Sequence, residues 1–391
     1  MSMPLWEPMP DGTGPIIERH QWRTDVITAF DGREQRIRLR DHARVAVEYT
    51  VLLADHVARI ELETLINAYG AEDWHSPMWA DAAELAAPVA SGNSVLPCDT
   101  NTRRFVVGCA VAIFADTTVQ VSTVASVSPS YIGLTGPLPV SISTGAVIVP
   151  IHTGRLADQQ SITRFTDQLA YASVAWELSD AVPFAGLSRA PQVSYRGAPV
   201  CVLRPDWSSA PVSSWARKQV TVDFGNQVYR EDESGRPTRL QSLRWLLIGR
   251  DTVGELCGLL EHCQGRLKPF WLPTFANDFQ VFPPDPGSGA QINVYHCRYT
   301  ELLSGSAMHQ HIAVQLHSGQ IILREIVASA ERDPISEQLT LNSPLGVDPA
   351  DIALISYLLP VRLDTDMVEL SWDYADVASV ALSVRSVRDE L

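Results

Sequence analysis

The stretch WRTDVITAFDG at residues 22–32 returns at residues 215–225 as WARKQVTVDFG, with Trp22 and Trp215, Thr28 and Thr221, and Gly32 and Gly225 each 193 positions apart. Phe30 and Phe224 are out of step by one. Working outward, Asp55, Val57 and Ile60 recur as Asp251, Val253 and Leu256 at an offset of 196, and WHSPMW (74–79) aligns with FWLPTF (270–275), Pro77 falling on Pro273. Ala110 and Val111 fall on Ala313 and Val314 at 203, and Asp167 with ASVA (172–175) on Asp373 with ASVA (378–381) at 206. The offset widens in small steps, as loop insertions make it. The collinear order of the matches carries the argument, since each match alone is short. A period of about 200 residues is far beyond the 20–50 of solenoids, so the repeat is one of whole domains. The expected division is 1–196 and 197–391, with the join near Gly197, where Pro191, Pro199, Pro205 and Pro211 interrupt helices and central strands.

Each half begins with strand-like sequence. RVAVEYTVLL (44–53) is β-branched and partly alternating, and LQSLRWLLI (240–248) holds the same place in the second half. A helix follows. From Asp55, a plausible N-cap, to Tyr69, the residues Leu62, Leu65, Ile66 and Tyr69 form one apolar stripe. The second copy, about 251–264, places Val253, Leu256, Leu260 and Cys263 alike, and Gly70 and Gly265 stand where a C′ glycine ends a helix. The aromatic-Pro-aromatic motif then returns the chain to extended structure. Strand-rich segments follow at 105–149 and from 311 on. The expected fold class is mainly β with a few helices: two tandem β-barrel or sandwich modules, each with one packed helix.

Composition narrows the function. The 391 residues carry 30 Lys+Arg against 45 Asp+Glu, a formal charge of −15, which argues against a general nucleic-acid binder. With 46% hydrophobic residues the chain can bury real cores. MSMPLWEPMPDGTG lacks the basic and apolar regions of a signal peptide, and no apolar run reaches the roughly 18 residues that span a bilayer, so a soluble, non-exported product is expected. The six cysteines form no C-x-x-C pair and read as buried thiols.

Several residues invite a chemical reading. On a strand, His309 and His311 would project from one face as metal ligands can, but no nearby set completes a tetrahedron. His262 and Cys263 with His296 and Cys297 allow a Cys/His arrangement on paper, with buried Cys and satisfied His as the plainer reading. Trp74, Trp79, Trp271 and Phe275 are either platforms for a glycan or structural clamps, and their recurrence just after a core helix favours clamps. Gly287-Ser-Gly289 reads as a turn. The run REQRIRLRDHAR (33–44) reads as a solvated or subunit-facing strand. No nucleotide, hydrolase or metalloprotease motif is present, so no catalytic, cofactor-binding or metal residue is assigned and no cofactor is expected.

The stretch Phe30-Asp-Gly-Arg-Glu-Gln-Arg36 with Arg44 and Tyr49, the helix after it, and Gly265-Arg-Leu-Lys-Pro-Phe-Trp-Leu-Pro-Thr-Phe275 resemble the tail-tip and baseplate proteins of long-tailed (siphovirus-type) bacteriophages, in particular distal-tail-like proteins. The first half departs from the return motif with Trp74-His-Ser-Pro, and the second from the G-x-E-x-R character. The resemblance implies a non-enzymatic virion protein with tube-like modules, assembled in the host bacterial cytoplasm. It implies a ring around the DNA channel that joins the tail tube and tape measure to the hub and fibre proteins, with no membrane partner. Two modules per chain fit a trimer of pseudo-sixfold symmetry, with a hexamer as the alternative. An acidic lumen would let DNA slide without specific binding. A tandem carbohydrate-binding protein and a hydrolase with an unrecognised cleft are the competing expectations.

Overall fold

The computed structural model describes residues 3–29, 31–115, 118–179, 184, 186–232, 235–283 and 289–388. The chain is mainly β, with three α-helices among those residues. In the first half, the framework strands are β1 (Ile16–Gln21), β2 (Thr24–Thr28), β3 (Glu34–Arg38), β4 (Arg44–Leu53), β5 (Trp74–Pro77), β6 (Val147–Leu156), β7 (Ser161–Arg164) and β8 (Ala170–Leu178), with α1 (His56–Tyr69) between β4 and β5. The second half repeats the order as β9 (Val212–Ala216), β10 (Gln219–Asp223), β11 (Val228–Asp232), β12 (Thr238–Ile248), α2 (Arg250–Cys263), β13 (Phe270–Pro273), β14 (Ile352–Leu363), β15 (Met367–Tyr374) and β16 (Val377–Ser386).

The pairings repeat with the order. β4 pairs β8, β8 pairs the end of β6, β6 pairs β5, and β7 lies on the other side of β8, all antiparallel. Likewise β12 pairs β16, β16 pairs the end of β14, β14 pairs β13, and β15 flanks β16. Registers agree too: Trp74 faces Gly154 and Pro77 faces Ile151, as Phe270 faces Val361 and Pro273 faces Leu358. β1 pairs β4 and β9 pairs β12, while β2–β3 and β10–β11 are hairpin arms. In β4 the alternation of residues places Val45, Val47, Tyr49, Val51 and Leu53 inward, and in β12 Leu243, Trp245 and Leu247 do the same.

Between the fifth and sixth strand of each half the chain inserts a four-stranded unit with its own apolar core. In the first, Val95–Pro97, Ala110–Ala115, Thr118–Ser128 and Tyr131–Leu134 surround Leu96, Ile113 and Ile132. In the second, Gln291–Tyr295, His311–Leu316, Ile321–Asp333 and Ser336–Leu341 surround Ile292, Val314 and Leu339. The strand-rich second parts of the two halves are thus split between framework and insert.

Helix ends differ in detail from the sequence expectation. Asp55 caps α1, its carboxylate accepting from Ala58 N at 2.8 Å. Gly70 is right-handed (φ −59°), its N–H donating to Ile66 O, so α1 runs into its glycine rather than stopping at a left-handed one. In α2 the left-handed residue is Gln264, with Gly265 (φ +71°) after it, and the helix starts at Arg250, one residue before the expected start, with Gly249 as its N-cap.

The halves are joined edge to edge. β1 pairs β4 on one side and β15 on the other, so one sheet runs through both. The linker is bound to the second half: Arg189 N donates to Gly254 O, and Cys201 N to Trp271 O, each at 2.8 Å.

Candidate functional site

The most concentrated group of charged side chains lies where the halves meet. Glu18 and His20 point inward from β1, Asp81 and Arg104 come from the first insert, and Arg250 opens α2; all are buried. Alternation in a strand buried on both flanks places Glu18 and His20 on one face. Arg104 bridges Glu18 and Asp81, the second contact at 2.8 Å. Arg250 holds the other oxygen of Asp81 at 2.9 Å, donates to Ala80 O, and reaches Asp376 at 3.2 Å. Its guanidinium lies 4.8 Å from the centre of the Trp372 ring, while Trp372 Nε1 donates to Glu18 at 3.3 Å. His20 Nε2 is 2.6 Å from Glu18 Oε1, and its ring stacks on Phe184 with centroids 4.4 Å apart.

Two carboxylates and two guanidiniums thus neutralise one another within the contact. Burial opposes ionisation of Glu18, but Arg104 and His20 outweigh it and hold the carboxyl at about 2. Burial works against the Arg104 charge as well, yet Glu18 and Asp81 raise its pKa. Burial lowers that of Arg250, with Asp81 countering. A buried set of opposite charges paired across the contact holds one half against the other.

The arm β2–β3 extends the junction. Glu34 accepts both Nε and Nη2 of Arg362 at 2.6 and 2.7 Å, a fork-on-fork pair. Arg266 N and Thr24 N both donate to Asp366. Within the run 33–44, Glu34 thus contacts the second half, while Arg33, Arg38 and Arg44 are exposed. Phe30 lies outside the described residues.

The residues singled out from sequence sit elsewhere, each in a separate environment. His309 ends a 3₁₀ turn and His311 begins a strand, so the break at Gln310 denies them a shared face. His309 lies 3.0 Å from Ser306 Oγ and His311 3.1 Å from Tyr195 OH. Burial, with Arg196 adding, takes His311 down to about 4. Among the described residues no group of three or more His, Cys, Asp or Glu is placed to hold a metal. Cys263 lies in the second core, where burial raises its thiol pKa, while Cys297 and His296 flank Glu337 in the second insert. Trp74, Trp79, Trp271 and Phe275 are all buried: Trp74 against Trp6 and Trp176, Trp79 against Phe114, Trp271 against Tyr195 and His311. They clamp the framework and offer no open ring face. Gly287 and Ser288 lie outside the described residues.

No family model and no curated relative matches this chain. Its function is argued from its own geometry. No helix among the described residues is long and apolar enough to cross a membrane.

Proposed function

We propose that the protein is a non-enzymatic structural component of a phage tail tip, forming a ring around the DNA channel. The observation that supports this reading is the edge-to-edge union of two like modules in one sheet through β1 and β15. A chain that sets two like modules edge to edge, with an outer strand edge left at each end, can continue to a next copy in the same way. Three chains with six modules match sixfold tube symmetry above and threefold hub symmetry below. The tail tube, tape measure, hub and fibre proteins are the neighbours on this reading, and the acid excess lines the lumen.

The glycan reading rested on exposed aromatics near Trp79 and Phe275, and both are buried. The test is the symmetry of the purified protein, from light scattering with negative-stain class averages. A six-lobed ring of three chains with a central hole is the expected outcome, and a particle of any mass without a hole counts against it.

A further inference from the structure

We infer that successive copies of this chain join by repeating the contact between their own two halves: the β9 edge and β10–β11 arm of one copy dock on the open edge of β7 and at the C-terminal end of α1 of the next. The inference rests on the ring reading above and names the surface that closes it.

Three differences between equivalent positions point to the same missing neighbour. Trp22 is 5% exposed, packed in the second half's core beside Gly265 and donating its backbone N–H to Asp366 O, whereas Trp215, at the same place in the second half, is 63% exposed. α2 buries nine of its residues, whereas α1 buries only Leu62 and leaves Val57 and Ile60 on its outer face each 49% exposed. Among the described residues, β1 is paired on both sides, but β9 only with β12; β15 has β1 and β16, while β7 has only β8. Each half of the internal contact is thus present on the outer ends of the chain without its complement.

The space left open matches. Residues 187–189 cross α2 so closely that a Cβ on Gly258 would stand 1.7 Å from Arg189 O. Beside α1, a groove of about 840 Å³ is lined by Met9, Leu52, Ala58, Ile60 and Leu65. A second groove of about 480 Å³ lies where the counterpart of the Trp22 seat falls, between Gly70 and Ala71 at the end of α1 and Leu156 and Asp158 in the β6–β7 turn. The arm that would enter carries exposed apolar side chains: Val220, Val222, Phe224, Val228 and Tyr229. An unpaired, apolar strand edge is a template for another strand, and here the complementary edge is on the far side of the same chain. Such a heterologous, head-to-tail contact closes into a ring when its rotation divides a full turn.

The test places a benzophenone photocrosslinker at position 215 of the full-length protein and measures the mass of the wild type, Trp215→Glu and the control Ile335→Glu, an exposed apolar position at a hairpin tip of the second insert. Expected are a multi-chain wild type and control, a Trp215→Glu protein of 43.0 kDa with an unchanged unfolding midpoint, and adducts within residues 56–71 or 155–164 of another copy. A multi-chain wild type whose mass survives Trp215→Glu, with adducts elsewhere, overturns this contact and leaves the ring reading standing. A wild type that stays at one chain at every concentration overturns both.

Discussion

α1 and α2 follow equivalent strands, precede equivalent strands and are each 14 residues long, yet α2 buries nine residues and α1 buries only Leu62. The difference lies in what crosses them. α2 is covered by the linker and by the first insert, which Gly254 and Gly258 admit at close range, whereas α1 faces a groove. Burial in this protein is thus set at the level of the module pair, and an element's own periodicity specifies which face is apolar but not whether anything covers it.

That comparison can be broken most forcefully at the junction. Arg104→Met leaves Glu18 and Asp81 buried without their shared cation, and a loss of about 3–5 kcal/mol is expected in urea unfolding. Leu256→Ala should lower stability by about 2–5 kcal/mol, while Ile60→Ala, half-exposed on the uncovered face of α1, should change the isolated chain by about 0.5 kcal/mol or less. Equal losses at the two positions would mean that α1 is as enclosed as α2.

Acid provides a third probe. Glu18 is held at about 2 against an ordinary 4.5, so its contribution is complete above about pH 4.5 and is lost as pH falls through about 2. At about 1.4 kcal/mol per pKa unit the whole effect is on the order of 3 kcal/mol. Glu18→Gln should flatten that part of the pH–stability curve. The corresponding position of the second half is Pro211, so the outer edge has no carboxylate to titrate. Gly258→Ala forces a Cβ into the Arg189 carbonyl and should destabilise by about 1–3 kcal/mol. The smallest effect is expected for Arg155→Met, whose pair with Asp73 is exposed: the urea midpoint should barely move, and less still at high salt.

The β-rich class with few helices was legible in the sequence. Asp55 caps α1 as its position suggests, and Pro77 and Pro273 hold matching registers in the strands that follow the two helices. β-Alternation and capping are local signals, and local signals survive in sequence. The junction was not legible, because Glu18, Asp81, Arg104 and Arg250 are single residues spread over more than 200 positions with no spacing rule among them. The histidine pair misled for a related reason: alternation applies only within a strand, and a 3₁₀ turn ends between them. Trp22 and Trp215 sit in matching local sequence with opposite exposures, a contrast that no local pattern encodes.

The pairing of β1 with β15 also has a kinetic side. Glu18 and Trp372 touch across 354 residues of sequence. During synthesis, which proceeds from the N-terminus at about 5–20 residues per second, the outer edge of β1 waits unpaired until nearly the whole chain has emerged. Contacts this far apart are slow to form. The last hairpin therefore acts as the latch of the fold, and a nascent chain stopped before residue 367 presents the bare edges of β1 and β12 to every other copy nearby.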